Sequence, residues 1–483
     1  MSVLLGIDVG TTATKALLLD PDLGIVAEAE RVTHLRSPHS GWAEEDPREW
    51  WHNVCSLCRE LITPETEVVG VGVTGMVPCT ILLDDEGRQL RRSVQQNDAR
   101  TTEEVPELRR RLSEARVLQR TGSAVTQQST GPRLLWLASH EPDVWAQTKC
   151  IMGSYDFIAM RLTGERAVES NWALESGLFD LETGHWAEDI VEAAGGRLSL
   201  LPPVASPDQV VGQVTADAAG ETGLPVGIPV VAGCADHIGS AFASGLLDDG
   251  DLLVKLGGAG DILLIADEPL VDDRLFLDFH LVPGLFVSNG CMATSGSLIR
   301  WFQEQLADGL SLSTLDEQAD AAGPGAGGVV ALPYFLGEKT PINDPTASGA
   351  FVGLRLTHTR GHLFRAVLEG IAYGFRHHLD VFRELGHAPR RVRVTDGGSR
   401  SAVWTQITAD VLGLPLEKVA MRSASAVAAA FAAGRGVEAF TDWHEIERFV
   451  SVTEVVEPTG SPAYERNYRV YRELYPKLRE VLA

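Results

Sequence analysis

The chain has 483 residues, which is too long for one hydrophobic core, so two domains are expected. Its composition, 44% hydrophobic and 22% charged, is typical of a globular protein and excludes a disordered one. The formal net charge of −25 disfavours nucleic acid and anionic membranes as partners, because both are negatively charged.

The predicted elements of the first part alternate between strands and helices. In chain order they are strand 3–8, turn 9–12, strand 16–20, turn 21–24, strand 25–32, helix 46–62 and strand 68–74. Asp46 and Pro47 have the residue types that begin a helix. Strand hairpins followed by helices and returning strands indicate a mixed-sheet α/β fold.

The second part begins in the same way, with strand 251–255, a small-residue turn at 256–260 and strand 262–266. This hairpin aligns with the first one, Gly10 over Gly257, at about half the chain length. Strand 392–395, a glycine turn at 396–399 and helix 402–412 follow later. The duplication predicts two similar domains, 1–247 and 248–483, with the boundary near 245–250.

No pattern indicates a secreted or membrane-bound protein. Residues 1–5 lead directly into a strand, without the basic and apolar regions of a signal peptide. No apolar run reaches the roughly 18–20 residues that span a bilayer. The six cysteines are scattered, and the nearest pair, Cys55 and Cys58, lies in a predicted helix without a second ligand pair for zinc. We therefore expect a cytoplasmic protein.

The first hairpin, residues 8–15, has the residue types of a phosphate site. Glycine lets the backbone approach phosphate oxygens, and the hydroxyls of Thr11 and Thr12 with the turn N–H groups form an anion nest. Lys15 adds a positive charge, and Asp8 at the strand end suits Mg²⁺, directly or through water. An ordinary hairpin whose threonines satisfy the turn has the same pattern.

A second candidate is the segment 230–241, where an apolar strand meets a glycine turn and a small-residue helix. Asp236 lies near the start of that helix, at the mouth of the strand. A carboxylate there can accept the proton of a substrate hydroxyl. An ordinary helix cap is equally consistent with an aspartate at this position.

Two further glycine turns suit a nucleotide. The turn at 256–261 allows close approach of a phosphate, and the turn at 396–401 suits an adenosine or an α-phosphate at a helix N-terminus. The sequence contains neither the G-x-x-x-x-G-K-[S/T] pattern of P-loop enzymes nor a dinucleotide fingerprint after a strand. The chain is therefore not a P-loop enzyme.

Taken together, these motifs resemble the FGGY carbohydrate kinase family, and xylulokinase-type members most of all. The similarity covers nearly the whole chain and is carried by residues 6–20, 41–47 with Trp50 and Trp51, 233–239, 333–341, 365–370 and 395–410. The resemblance implies an α/β fold of two ribonuclease-H-like domains, as in the actin/hexokinase/Hsp70 superfamily, facing across a catalytic cleft. It also implies MgATP-dependent phosphorylation of a primary hydroxyl of a sugar or polyol, and a homodimer.

The resemblance further implies a role for individual residues. It makes Asp236 the catalytic base and Asp8 the metal ligand. The implied substrate contacts are Met76, Val77, Asp98, Arg100, Asp236 and His237. The implied ATP-binding residues are Thr11, Thr12, Lys15, Gly257, Gly258, Gly296, Arg300, Gly397, Gly398 and Ala402.

Three positions depart from the family pattern. Val77 follows Met76 where xylulokinase-like members carry a histidine, which predicts that D-xylulose is a poor or secondary substrate. The family's Trp-x-Asp-x-Arg loop corresponds to residues 96–100 of this chain, where Gln96 stands in place of the tryptophan. Ala259 ends a turn that is usually Gly-Thr-Ser, so one hydroxyl donor is lost. Another ketopentose, a gluconate-like sugar acid or a tetritol is the alternative acceptor.

Two other classes of protein share the expected fold. Actin- and Hsp70-like ATPases are disfavoured because the chain has no separate peptide-binding domain and carries the sugar-kinase segments 333–341 and 365–370. A catalytically silent sugar-binding relative is disfavoured because Asp8, Lys15 and Asp236 are all present.

Overall fold

The computed structural model describes residues 2–482. Its strands are β1 Ser2–Val9, β2 Ala13–Asp20, β3 Gly24–Val32, β4 Glu44–Glu45, β5 Glu67–Gly75, β6 Ile81–Leu83, β7 Ser93–Val94, β8 Cys150–Met152, β9 Val168–Glu169, β10 Phe179–Asp180, β11 His185–Trp186, β12 Val204–Ala205, β13 Val210–Gln213, β14 Pro229–Val231, β15 Cys234–Ala235, β16 Asp251–Leu256, β17 Gly260–Ala266, β18 Phe276–Phe279, β19 Phe286–Met292, β20 Val330–Leu332, β21 Ala350–Val352, β22 Arg391–Thr395, β23 Leu416–Val419 and β24 Val452–Val456.

The α-helices are α1 Pro47–Leu61, α2 Glu104–Arg111, α3 Glu114–Thr121, α4 Thr130–His140, α5 Pro142–Gln147, α6 Ser154–Thr163, α7 Ser170–Glu175, α8 Glu188–Ala193, α9 Ala216–Thr222, α10 Asp236–Ala243, α11 Gly296–Leu306, α12 Leu312–Ala322, α13 Arg360–Glu384, α14 Ala402–Leu412, α15 Ala424–Gly436 and α16 Pro462–Leu482. Within residues 2–482, we find no helix that combines the length and the apolar character needed to cross a membrane.

The internal contacts of the chain divide it into two units. Unit 1 contains the chain up to Leu247 together with Leu277–Phe286 and Met421–Val450. Unit 2 contains Asp248–Phe276, Val287–Ala420 and the chain from Ser451 onward. The predicted division at 247/248 coincides with the first change of unit, but two later segments return to unit 1, and the second of them contains helix α15.

The central sheet of unit 1 has the strand order β13-β14-β5-β1-β2-β3, and β15 also pairs with β5. Strand β1 is antiparallel to β2 and parallel to β5, so the predicted hairpin lies in the middle of the sheet. In this hairpin Asp8 pairs with Lys15.

Helix α15 lies directly on this sheet because glycines leave room for it. A Cβ atom on Gly6 of β1 would lie 2.0 Å from the carbonyl oxygen of Ala426. A Cβ atom on Gly72 of β5 would lie 1.9 Å from the carbonyl oxygen of Ala429. Only glycine permits this approach between the backbone of a strand and that of a helix. This packing explains why α15, late in the chain, belongs to unit 1.

Unit 2 repeats the arrangement of hairpin and parallel strand. Its strands follow the order β19-β17-β16-β22-β23-β24, with β16 antiparallel to β17 and parallel to β22. Helix α13 buries Phe364, Leu368 and Phe375 in the apolar core of this unit. The prediction that both halves open with a glycine-turn hairpin is confirmed.

The predicted elements agree with the structure to within a few residues at their ends. Asp46 is the N-cap of α1 and accepts a 3.0 Å hydrogen bond from the N–H of Arg48, and Pro47 is the first helical residue. The predicted helix 402–412 is α14, with Ser401 as its N-cap. The small-residue helix begins at Asp236 itself, and strands β2 and β17 begin three and two residues before their predicted starts.

Candidate active site

Three parallel strands of unit 1 bring Asp8 and Asp236 to the same edge of the sheet. Strand β5 lies between β1 and β15: Asp8 pairs with Thr74, and Cys234 pairs with the same Thr74 from the other side. Asp236 comes two residues after Cys234. Because the carboxyl ends of parallel strands meet at one edge, both carboxylates leave the sheet there, where α/β proteins usually bind ligands.

Asp236 is the first residue of α10 and does not cap the helix. The N-cap is Ala235, and no side chain makes a capping hydrogen bond at this helix end. The Asp236 side chain is 34% exposed, so a ligand can reach it. The ordinary cap that the sequence left open is therefore not the arrangement in the structure.

His237, the next residue, lies among three carboxylates of unit 1. Its Nε2 atom is 3.2 Å from Asp278 Oδ2 and 3.8 Å from Glu175 Oε1, and its Nδ1 atom is 3.6 Å from Asp236 Oδ1. Asp278 is fully buried, whereas Glu175 is mostly buried. The cluster therefore connects the buried interior to the exposed Asp236.

The pKa values in this cluster are shifted by burial and by charge. Burial alone would lower the pKa of His237, but Asp278, Asp236 and Glu175 raise it well above its ordinary value. Burial and the negative charge of Asp278 raise the pKa of Glu175 well above its ordinary value, although His237 opposes this shift. Both shifts favour a charged imidazole beside a protonated Glu175.

The metal ligand and phosphate residues predicted in the first hairpin lie together. Ser425 Oγ of α15 donates a 2.6 Å hydrogen bond to Asp8 Oδ2, which fixes this carboxylate at the end of β1. The turn is closed by a 3.1 Å bond from the Gly10 N–H to the Ala13 carbonyl oxygen. Thr11 and Thr12 are at the tip of the turn, whereas Lys15 lies on β2 with its Nζ 4.0 Å from Glu30. A carboxylate beside hydroxyl oxygens is a donor set that suits Mg²⁺.

The predicted substrate contacts Met76 and Val77 follow β5 and are buried. Met76 lies against the phosphate hairpin: its Sδ atom is 4.0 Å from Thr11 Oγ1. Ser154 Oγ also donates a 2.8 Å hydrogen bond to the Met76 carbonyl oxygen. Val77 is thus a buried, apolar side chain beside the phosphate hairpin's neighbour Met76.

Asp98 and Arg100, the other two predicted contacts, form a buried ion pair. Asp98 Oδ2 accepts a 2.6 Å hydrogen bond from the Ala43 N–H, and the Arg100 guanidinium donates to both oxygens of Asp98. Arg100 also binds Glu44 at 2.8 Å and stacks on Trp42, 3.8 Å from the ring centroid. These contacts brace the loop, and a direct role in sugar binding stays a prediction.

In unit 2 the predicted ATP-binding glycines come together. The carbonyl oxygen of Gly257 accepts a 2.7 Å bond from the N–H of Gly296, and that of Gly258 accepts from the N–H groups of Ser295 and Ser297. A Cβ atom on Gly296 would lie 2.7 Å from the Gly257 carbonyl oxygen. The turn between β16 and β17 is therefore locked to the start of helix α11.

The remaining ATP-binding residues flank this turn. Gly397 and Gly398 form a 3₁₀ turn after β22, and Ala402 begins α14. A Cβ atom on Gly257 would lie 2.9 Å from Asp396 Oδ2, so the two glycine turns are adjacent. Arg300 is exposed on α11, one helical turn after Gly296.

Family models match both parts of the chain. The N-terminal domain of the FGGY family of carbohydrate kinases matches residues 3–243, and the C-terminal domain matches residues 258–437. The chain belongs to the FGGY family of carbohydrate kinases. It is therefore a sugar kinase with the two-domain fold of this family, related to that of actin and hexokinase, and the family's activity implies ATP as the phosphoryl donor.

Relatives of this FGGY kinase carry the name xylulose kinase. The solved structure of xylulose kinase from Rhodospirillum rubrum is 46% identical, covers 99% of both chains and superposes with a TM-score of 0.94. Xylulose kinase of Staphylococcus epidermidis is 28% identical over all of this chain and 98% of its own. Xylulose kinase of Escherichia coli is 30% identical over 86% of this chain and 85% of its own.

Sequence reasoning missed three side chains of the site. Glu175 and Asp278 reach His237, and Ser425 reaches Asp8, from segments far away in the chain, and none of them lies in a recognisable motif. The nearby polar residue Asn171 lies in the same helix as Glu175, but a polar residue of this kind is too common in sequences to identify a site.

Proposed function

We propose that this FGGY kinase transfers the γ-phosphoryl group of ATP to a hydroxyl of a small sugar, with Asp236 as the general base. The observation that carries the proposal is the arrangement of β1, β5 and β15, which places Asp8 and Asp236 at one sheet edge. Asp236 is partly exposed and caps no helix, so its carboxylate is available to accept the hydroxyl proton.

Asp8 is proposed to hold Mg²⁺, directly or through water. Ser425 fixes one oxygen of Asp8, and the hydroxyls of Thr11 and Thr12 add neutral oxygen donors at the turn. Bound there, Mg²⁺ would neutralise phosphate charge. Turn N–H groups and Lys15 add positive field in a protein whose net charge is −25.

The nucleotide is proposed to bind to the glycine turns of unit 2. Gly257, Gly258 and Gly296 leave backbone surface without side chains, where phosphate oxygens can approach N–H groups. The other residues of this proposed site are Arg300, Gly397, Gly398 and Ala402.

A ketopentose of the xylulose type is the proposed acceptor, because relatives across the whole chain carry that name. The second candidate is an acceptor that has one polar group fewer at the position facing Val77. The buried, apolar side chain of Val77 favours this candidate. Values of kcat/KM for D-xylulose, other ketopentoses, polyols and sugar acids decide between them. A value for D-xylulose well above all others selects the first candidate and removes Val77 as the determinant of specificity.

We propose a cytoplasmic enzyme that acts without nucleic acid or a membrane. All six cysteines lie within the described part of the chain and are free thiols there, as in a reducing compartment. A homodimer is the expected assembly, and light scattering at several protein concentrations tests it.

The substitution Asp236→Asn tests the base. It keeps the shape of the side chain but removes the proton acceptor, so kcat falls about 10²–10⁴-fold while ATP still binds. The matched control is Asp217→Asn, the same change in the first turn of α9, another helix of unit 1, and it leaves kcat unchanged. If Asp236→Asn keeps kcat within about a factor of two, far below the contribution of a base, Asp236 is not the base.

A further inference from the structure

In unit 1 a row of three side chains runs from the buried interior to Asp236. Both ring nitrogens of His237 face carboxylates: Nε2 lies 3.2 Å from Asp278 Oδ2, and Nδ1 lies 3.6 Å from Asp236 Oδ1. Exposure rises along the row, from 1% for Asp278 through 16% for His237 to 34% for Asp236. His237 therefore stands between a buried anion and the proposed base.

The backbone on both sides of Asp278 is fixed. The side-chain amide of Asn171 on α7 accepts a 2.7 Å hydrogen bond from the Phe279 N–H and donates a 3.0 Å bond to the Phe279 carbonyl oxygen. On the other side, Ser123 Oγ accepts a 3.0 Å bond from the Leu277 N–H. These three bonds fix the backbone on both sides of Asp278, from which its carboxylate reaches His237.

Glu175 completes the surroundings of the imidazole. It is the last residue of α7, and its Oε1 atom lies 3.8 Å from His237 Nε2. Buried charges are costly unless they are paired, so two carboxylates around one imidazole are best satisfied when one carboxyl is protonated and the imidazole is charged. The raised pKa values of Glu175 and His237 agree with this assignment.

Other ionisable groups near α10 do not change the sign of the negative electrostatic potential around His237. Helix α15, which packs on α10, carries Arg435, whose guanidinium donates to the Phe440 carbonyl oxygen. The ionisable residues on the other neighbouring elements are Glu67 of β5, Cys234 of β15, Asp8 of β1, Glu169 of β9, and His444, Glu445, Glu447 and Arg448 of the 3₁₀ turn Trp443–Phe449. The carboxylates among them add negative potential, which favours a positive imidazole, whereas burial raises the pKa of the Cys234 thiol and keeps it neutral.

We propose that His237 is a positioning residue that Asp278 holds beside Asp236, where the imidazole places positive charge next to the carboxylate that accepts the hydroxyl proton. The proposal rests on the proposed function of Asp236, and it gives His237 a role other than the direct sugar contact expected from the sequence. A positive charge within about 4–6 Å favours the ionised form of a carboxylate.

The first test is the pH profile of kcat/KM for the acceptor sugar, from pH 5 to 9. In His237→Gln the acidic limb moves to higher pH, because the carboxylate that accepts the proton loses the neighbouring positive charge. Asp278→Asn moves the limb in the same direction, because the imidazole loses its counter-charge. The matched control is His34→Gln, which breaks the exposed pair with Glu49 in the same unit and leaves the limb in place.

An acidic limb that stays unchanged in both His237→Gln and Asp278→Asn overturns the proposal. If Asp278→Asn does not fold, His237→Gln alone decides, together with the measurement below. Activity that persists in Asp236→Asn removes the proposed base itself, whatever the profiles show, so the two failures are distinguishable.

The second test needs no activity. In ¹⁵N NMR of the imidazole nitrogens, the signal missing from His237→Gln identifies this residue among the 13 histidines. It is expected to titrate at a higher pH in the native protein than in Asp278→Asn. A neutral His237 at pH 7 overturns the proposal. So does a stoichiometric zinc ion found by metal analysis and lost in Asp278→Asn, since a bound cation would take the place of the protons.

Discussion

The two glycine-turn hairpins share a backbone plan but differ in what surrounds their charged residues. In unit 1, Asp8 pairs across the hairpin with Lys15, and in unit 2 Lys255 pairs with Asp261, so the order of charges is reversed. Lys255 Nζ and Asp261 Oδ2 approach to 3.8 Å. Asp8 instead receives a hydroxyl from Ser425 on α15.

The buried histidines show the same contrast between the units. His237 of unit 1 is surrounded by carboxylates, and its pKa is raised. His378 of unit 2 bonds the Gly374 carbonyl oxygen and the Thr340 hydroxyl, and burial lowers its pKa to about 4. The two units thus share a backbone arrangement but shift the pKa of a histidine in opposite directions. Side chains from distant segments set the charges around each imidazole.

The largest expected difference between the hairpins is in catalysis. Asp8→Ala removes the proposed metal ligand and lowers kcat about 10²–10³-fold, the loss typical when an organised electrostatic group is removed. Asp261→Ala, the matched change in the other hairpin, lowers kcat much less. Both effects are measured in a coupled assay with a Mg²⁺ titration. Equal losses in the two variants, or a normal Mg²⁺ titration for Asp8→Ala, would remove Asp8 from the site.

Glycines also act differently in the two units. Gly72→Ala places a Cβ 1.9 Å from the Ala429 carbonyl oxygen, so unit 1 loses about 3 kcal/mol of unfolding free energy, at the upper end for overpacking. A Cβ on Gly258 meets open space, so Gly258→Ala is expected to keep the melting temperature. The same variant raises KM for ATP, because the methyl group occupies the surface proposed for phosphate. Unchanged stability in Gly72→Ala would contradict the packing of α15 on the sheet. An unchanged KM for ATP in Gly258→Ala would contradict the proposed phosphate turn.

The two histidines are expected to give opposite pH dependences of stability. For His378 the folded-state pKa of about 4 lies below the ordinary 6.5, so the unfolded chain binds the extra proton and stability falls as the pH falls from 6.5 toward 4. The loss amounts to about 3 kcal/mol at most, at 1.36 kcal/mol for each pH unit. For His237 the folded-state pKa is raised, so its stabilisation is complete below pH 6.5 and is lost as the pH rises through the folded value.

Melting temperatures between pH 4.5 and 8.5 check both signs. His378→Asn should flatten the acidic side of the curve, and His237→Gln should flatten the alkaline side. A steeper acidic side in His378→Asn would show that this imidazole is charged in the folded protein.

The smallest expected effect concerns the acceptor sugar. Val77→His adds a hydrogen-bonding group beside Met76, and one such group is worth about 1 kcal/mol, or roughly fivefold in kcat/KM. We expect the ratio of kcat/KM for D-xylulose to that for the best other acceptor to rise by this factor. Val77→Leu, which adds volume without polarity, serves as the control. An equal ratio in both variants would show that position 77 does not select the sugar.

The sequence by itself determined the two hairpins, the helix start at Asp46 and the position of Asp236 after an apolar strand. These features depend on local patterns, such as alternation, glycine turns and cap residues, which a short window of sequence contains. It also carried the family motifs that identified a sugar kinase. The order and spacing of those motifs along the chain were sufficient for this.

Only the tertiary structure decided which side chains surround Asp8 and Asp236. Ser425 lies 417 residues from Asp8 along the chain, and Asp278 lies 41 residues from His237. It also placed α15 in unit 1, because Gly6 and Gly72 leave space that Ala426 and Ala429 fill. Such contacts depend on the complementary shapes of distant segments, and no single segment contains that information. The charge state of His237 follows from these contacts, because the field at an imidazole is set by its neighbours in space.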